Sequence, residues 1–201
     1  MATNDIVTLT EARDYLGASA SQDVALLAAW IEAVSIRLDD ICGPVVQRTI
    51  TGELHNGGEG IVRLDRRPVA SVTSVVEYDT NGAATTLTAE TTTTKPADAY
   101  LADLTQGTIV RRSSGSTYTF AGNLQSVSVT YVAGRAATTA AVSPLFKQAA
   151  LAFLRHMWAS EHGTGNTFGT ETFVPAGFAV PNRVLELLGA EVQRDRMMGI
   201  A

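Results

Sequence analysis

Three histidines and one cysteine are the side chains of this 201-residue chain best suited to metal or nucleophilic chemistry, and their spacing serves neither. His55 stands in a turn-rich stretch, while His156 and His162 lie around the end of a helical pattern. A zinc-protease helix needs His-Glu-x-x-His, with both imidazoles on one face; the six-residue step from His156 to His162 turns them apart. Cys42 precedes Gly43-Pro44 at the end of an apolar stripe, with no histidine in view to activate it, and reads as a small buried hydrophobe. Gly163-Thr164-Gly165-Asn166-Thr167-Phe168-Gly169 has the look of a phosphate cradle. It follows a helix rather than a strand, however, and lacks both the Gly-x-Gly-x-x-Gly spacing and a Gly-Lys-Ser/Thr ending. Asp39 and Asp40 are adjacent on a helix and cannot face each other across a substrate. Asp65-Arg66-Arg67-Pro68 is the densest charge cluster, a solvated turn rather than a nucleic-acid footprint. No Gly-x-Ser-x-Gly elbow nominates a serine. The expectation is a chain without catalytic residues, metal ligands or cofactor, and not an enzyme.

Composition points the same way. A single cysteine excludes an intramolecular disulfide framework and any multi-cysteine metal site. With 45% hydrophobic and 17% charged residues, the chain has enough apolar material for a core and too little charge for a disordered tail. Net charge of −5 argues against a nucleic-acid grip by general basicity, though not against a local basic patch. Apolar runs are too short to span a bilayer, and Met1-Ala2-Thr3-Asn4-Asp5 lacks the basic start of a signal peptide. The expectation is a soluble protein made in a reducing cytoplasm, with no membrane partner.

The elements that would position any site read as helices, then strands, then helices. Thr8-Leu9-Thr10-Glu11 is a capping box opening a short helix that Gly17 stops, with Leu9, Ala12, Tyr15 and Leu16 on its apolar face. Ser21 caps a longer helix with Val24, Leu27, Trp30, Ile31, Val34, Leu38 and Ile41 on one stripe, and Glu32, Arg37, Asp39 and Asp40 mostly off it. From Val45 to Gly134 the period changes to about two, in five or six strands. Asn81-Gly82 marks a hairpin, and the threonine-rich stretch 85–95 reads as an exposed edge or a mobile hairpin. Ser143-Pro144 starts a third helix whose stripe, including Phe153, Met157 and Trp158, is broad enough to meet more than one neighbour. Asn182 caps a last helix.

These readings give an α+β fold. N- and C-terminal helices form a bundle into which an antiparallel β-sandwich or barrel-like region is inserted. The expected division is a helical pair at 1–43, a β-rich insertion at 44–135, a central helix at 143–162 packed on the helical pair, and a loop, last helix and docking tail at 163–201. Trp30, Ile31, Val34, Phe153, Met157 and Trp158 are the expected shared helical core. Phe168, Phe173, Val174, Pro175, Phe178, Val180 and Pro181 lie in a loop long and apolar enough to mark an interaction surface.

The order of these elements resembles that of the head–tail connector, or adaptor, proteins of tailed bacteriophages and of related gene transfer agents. The resemblance rests on Val7 to Leu16, the helix ending at Cys42-Gly43-Pro44, Leu64 to Val75, Val129 to Gly134, the helix from Pro144 to Trp158, and Pro181-Asn182-Arg183-Val184 before a leucine-rich helix. The threonine-rich stretch and the long segment after Trp158 depart from the shorter members. The resemblance implies a virion protein of the head–tail junction, assembled in the host cytoplasm. It implies a homo-oligomeric ring, commonly of twelve copies, under the portal protein and above a stopper or tail terminator protein. DNA would pass through the ring without sequence-specific binding. It further implies a portal- or neighbour-docking role for Phe173, Val174, Pro175, Phe178, Val180, Pro181, Arg183, Leu185 and Leu188. On this reading, deleting everything after Gly177 leaves a folded protein that no longer joins capsid to tail. The competing expectation is a β-sandwich module that binds a carbohydrate or protein ligand, with Tyr100, Tyr118 and Tyr131 as stacking faces.

Overall fold

The computed structural model describes residues 4–17, 24–162 and 180–197, with backbone alone at 160–162 and 190–197. The chain divides into two compact units: residues 1–46 with 136–201, and residues 47–135. The fold class read from the sequence holds, since the first unit is helical and the second carries the inserted sheet.

In the helical unit, α1 spans Leu9–Leu16, α2 Val24–Cys42, α3 Pro144–His162 and α4 Asn182–Met197. The capping box forms as expected. Thr8 Oγ1 accepts from the Glu11 N–H at 3.2 Å and the Thr8 N–H donates to the Glu11 carboxylate at 2.7 Å. Gly17 closes α1 in the left-handed region at φ 67°. The Ser21 cap lies outside the described residues. Leu27, Trp30, Ile31, Val34 and Leu38 of α2 meet Phe146, Ala149, Ala150, Phe153 and Leu154 of α3, and Val184 and Leu188 of α4 complete the core. The Trp30 and Trp158 rings meet edge to face, 5.9 Å between centroids. The segment before α1 is held by hydrogen bonds from the Ile6 N–H to Ser35 Oγ at 3.0 Å and from Thr139 Oγ1 to the Asp5 carbonyl at 2.6 Å.

Asp39 corrects the expectation of a solvated face. It is buried, and its carboxylate accepts the Val45 N–H at 2.9 Å, satisfying a backbone donor just after the helix stops at Gly43. Val24, expected on the buried stripe, is exposed at the start of α2. Cys42 is buried, its thiol donating to the Leu38 carbonyl at 3.0 Å. Helix α4 begins at Asn182 itself, and Pro181 supplies the carbonyl that receives the Val184 N–H.

The second unit contains β1 (Arg48–His55), β2 (Ile61–Arg63), β3 (Val69–Tyr78), β4 (Ala84–Ala89), β5 (Ala99–Asp103), β6 (Thr108–Ser113), β7 (Ser116–Thr117) and β8 (Val127–Ala133). Their order is β1-β8-β3-β4-β5-β6-β2, with the two-residue β7 beside β6. The ladder is an open path rather than a closed barrel: its end strands β1 and β2 do not pair. A side-chain hydrogen bond joins β1 to the residues just after β2, the Asp65 N–H donating to Glu53 Oε1 at 3.0 Å. Pairing is antiparallel except for β4 with β5. The threonine-rich stretch is largely exposed, and its strand part pairs on one side at a time: residues 84–87 with β3 and 88–89 with β5. Glu90 anchors its far end by accepting from Lys95 at 2.6 Å and Arg112 at 3.2 Å. Val75, Leu87, Ile109, Phe120, Val127, Val129 and Tyr131 lie in this unit's own core.

Candidate docking surface

On the helical unit, α3 and the start of α4 form an open groove of about 470 Å³ lined by Tyr15, Ala152, Arg155, His156, Ala159, Pro181 and Arg183. Helical spacing explains the α3 contribution, since residues 152, 155, 156 and 159 share one face. The first turn of α4 supplies Arg183 because Val184 and Leu188 are drawn into the core, which turns residues 183 and 185 outward. Leu185 remains 42% exposed. Among the described residues neither Arg155 nor Arg183 has an ion-pair partner, and no carboxylate lines the groove. The surface is apolar with a cationic rim, suited to a helix or extended segment carrying acidic residues.

Lys147 and Glu11 fix α1 against α3, 2.6 Å from ammonium to carboxylate. Burial works to raise the Glu11 carboxyl, but the hydrogen bonds from Lys147 and Thr8 outweigh it and hold the group below its ordinary value.

Several expected docking residues fall elsewhere. Leu188 is fully buried against its own helices, so its side chain is core and not docking surface. Val180 and Pro181 are half-buried, and Val180 packs on the helical core. Phe168, Phe173, Val174, Pro175 and Phe178 lie outside the described residues, as does the Gly163–Gly169 stretch. Trp30, Ile31, Val34 and Phe153 are buried in one cluster, with Met157 and Trp158 partly buried against it.

The β unit holds a second concave region, about 520 Å³, with Glu77, Asp98, Arg111 and Tyr118 in its walls. Arg111 is nearly buried. Its Nε donates to Glu77 at 3.1 Å, one Nη to Asp98 at 2.9 Å, and the other to the Ala99 and Arg112 carbonyls. Its guanidinium lies over the Tyr118 ring, 5.3 Å from the centroid. Glu77 also accepts the Ala121 N–H at 2.6 Å. Every donor of the guanidinium is engaged, so this is a closed structural network rather than a poised ligand grip.

Nothing in the sequence announced it, because Glu77, Asp98 and Arg111 are far apart along the chain. Of the three tyrosines weighed as stacking faces, Tyr100 and Tyr131 are buried and only Tyr118 is exposed. Tyr131 donates to Glu53 at 2.6 Å and accepts the Arg66 N–H at 3.0 Å; burial first, then the bond to Glu53, pushes its hydroxyl well above its ordinary value. His55 is not in a turn but at the end of β1, 2.7 Å from Glu53. Among the described residues no group of three His, Cys, Asp or Glu is placed to hold a metal, and no described helix is long and apolar enough to cross a membrane.

No family model matches the chain, and no curated protein matches it. Solved structures do. One match is a chain in the "neck of empty GTA particle computed with C6 symmetry", 17% identical, TM-score 0.57, covering 92% of this chain and 88% of that one. A chain in the "virion of native gene transfer agent (GTA) particle" is 16% identical with TM-score 0.56 and the same coverage. A chain in the "neck of native GTA particle computed with C12 symmetry" is 18% identical, TM-score 0.51, covering 95% and 94%. The likeness spans both units, so this chain has the fold found in those particles.

Proposed function

We propose that the chain is a structural head–tail connector: one subunit of a homo-oligomeric ring of twelve copies in a phage-like particle. The ring sits below the portal protein, meets a stopper or tail terminator protein on its other side, and lets DNA pass without reading its sequence. Its place is the virion neck, after assembly in the host cytoplasm, and its role is mechanical rather than catalytic.

The observation that carries this reading is a likeness over nine-tenths of the chain to neck chains, one of them in a structure computed with C12 symmetry. The physics is consistent. A ring subunit needs two different complementary surfaces, and the helical unit has an open cationic groove that its own described residues leave uncovered. A net charge of −5 is compatible with a conduit that lets a polyanion pass. Docking to the portal or a neighbour is assigned to Pro181, Arg183 and Leu185 of the described residues, and to Phe173, Val174, Pro175 and Phe178 of the segment before them.

Electron microscopy of the chain mixed with the portal protein of its own particle tests this. The expected result is closed rings coaxial with the portal. Monomers that persist beside bare portals would overturn the reading.

A further inference from the structure

Helix α2 carries a second apolar stripe that the described residues leave uncovered. Leu27, Trp30, Ile31, Val34 and Leu38 face the core, whereas Leu26, Ala29, Ala33 and Ile36 are all exposed, Ile36 at 53%. Their steps of three, four and three residues make one continuous line along the helix, and Asp40 extends it by four more. Solvated helix faces are ordinarily polar, so a helix apolar on both sides calls for a partner on the second side. Exposed Glu32 flanks this line on one side and exposed Arg37 on the other, Asp40 lies on it, and neither Glu32 nor Asp40 has an ion-pair partner among the described residues. The groove over α3 and α4 is the counterpart in shape and charge: apolar along Ala152 and Ala159, rimmed by Arg155 and Arg183, with no carboxylate among its described lining residues.

We propose that the outward stripe of α2 in one copy docks into the α3–α4 groove of the next. Glu32 and Asp40 face Arg155 and Arg183, and the small side chains of Ala29 and Ala33 let the helices approach closely. Two different patches meet, so the contact is heterologous, the kind that propagates around a ring. The inference rests on the ring reading and specifies which surfaces close it.

Charge reversal tests the contact in the full chain, assembled with its portal and counted as rings by electron microscopy. E32R/D40R alone and R155E/R183E alone are each expected to cut the ring fraction at least tenfold while leaving the unfolding midpoint of the monomer near wild type. An equal mixture of the two variants restores rings, because every interface then again joins opposite charges, with subunits strictly alternating. The quadruple variant restores them as well. The neutral R155Q/R183Q chain, which carries no new charge to disturb the fold, forms rings whose yield no longer falls with added salt. Single-face variants that ring like wild type, or a mixture that assembles no better than its components, overturn this contact while leaving the ring reading standing. A wild-type chain that forms no rings on the portal overturns both.

Discussion

Arg111 is held by five donors directed at two carboxylates and two carbonyls, and removing its side chain would leave Glu77 nearly buried with no counter-charge. Breaking a buried pair in this one-sided way costs about 3–5 kcal/mol, far more than a surface pair is worth. Arg111→Ala is therefore expected to lower the urea midpoint sharply, whereas Asp98→Asn, at the exposed edge of the same network, lowers it only slightly. Equal effects would show that the buried pair is not the anchor of the β unit. Tyr131 supplies a pH signature in the same unit. Its folded-state pKa is raised above the ordinary 10.0, so the native state keeps a proton that the unfolded chain releases. The stability that this proton contributes is fully present below pH 10 and is lost as pH rises beyond it. Between about pH 9 and pH 11, wild type is expected to lose more stability than Tyr131→Phe, which has no such proton to hold. Parallel curves for the two proteins would remove Tyr131 as the source.

Turn geometry separates two glycines that look alike in sequence. Gly57 sits where a Cβ would fall 1.8 Å from the Ala121 carbonyl oxygen, because the loop after β1 packs backbone to backbone on the loop before β8. Gly82, at φ 81° in the β3–β4 turn, has open space around it and only a backbone preference at stake. Gly82→Ala should cost about 1–2 kcal/mol through the left-handed conformation alone. Gly57→Ala should cost more than Gly82→Ala, since backbone must move, and thermal unfolding of the two variants ranks them directly. The Asn81-Gly82 turn was legible in sequence because its signal is local, as were the capping box at Thr8 and the apolar periods of the helices. Asp39 was not. Its spacing places it off the core stripe, and only the return of the chain at Val45 gives its carboxylate a reason to be buried. The parallel β4–β5 pair and the Glu77–Arg111 network were equally hidden, because their partners are chosen by the folded sheet and leave no spacing rule behind. In α4, helical periodicity put Leu185 and Leu188 on the same apolar side and could not tell which of them faces inward, and it gave no sign of the groove that Ala152, Arg155 and His156 line.

That last distinction decides how the C-terminal region should be tested as part of the whole molecule. Removing everything after Gly177 discards α4, and with it Val184 and Leu188, both fully buried in the helical core. Core losses of this kind cost about 2–5 kcal/mol for a leucine and somewhat less for a valine, and together they approach the net stability of an ordinary domain. The truncated chain is therefore expected to melt well below wild type. Its failure to join capsid to tail would then say nothing specific about docking. Substituting outward side chains keeps the two roles apart. Leu185→Asp replaces an exposed apolar group and leaves the core intact, so its melting temperature should stay close to wild type while its yield of portal-bound rings falls. Leu188→Ala should do the opposite in the first measurement, losing about 2–5 kcal/mol of stability, yet at temperatures where it remains folded it should assemble normally. If Leu185→Asp rings as well as wild type, the outward face of α4 takes no part in assembly. Loss of rings in Leu188→Ala at full folding would mean instead that assembly depends on the rigidity of the helical unit more than on its surface chemistry.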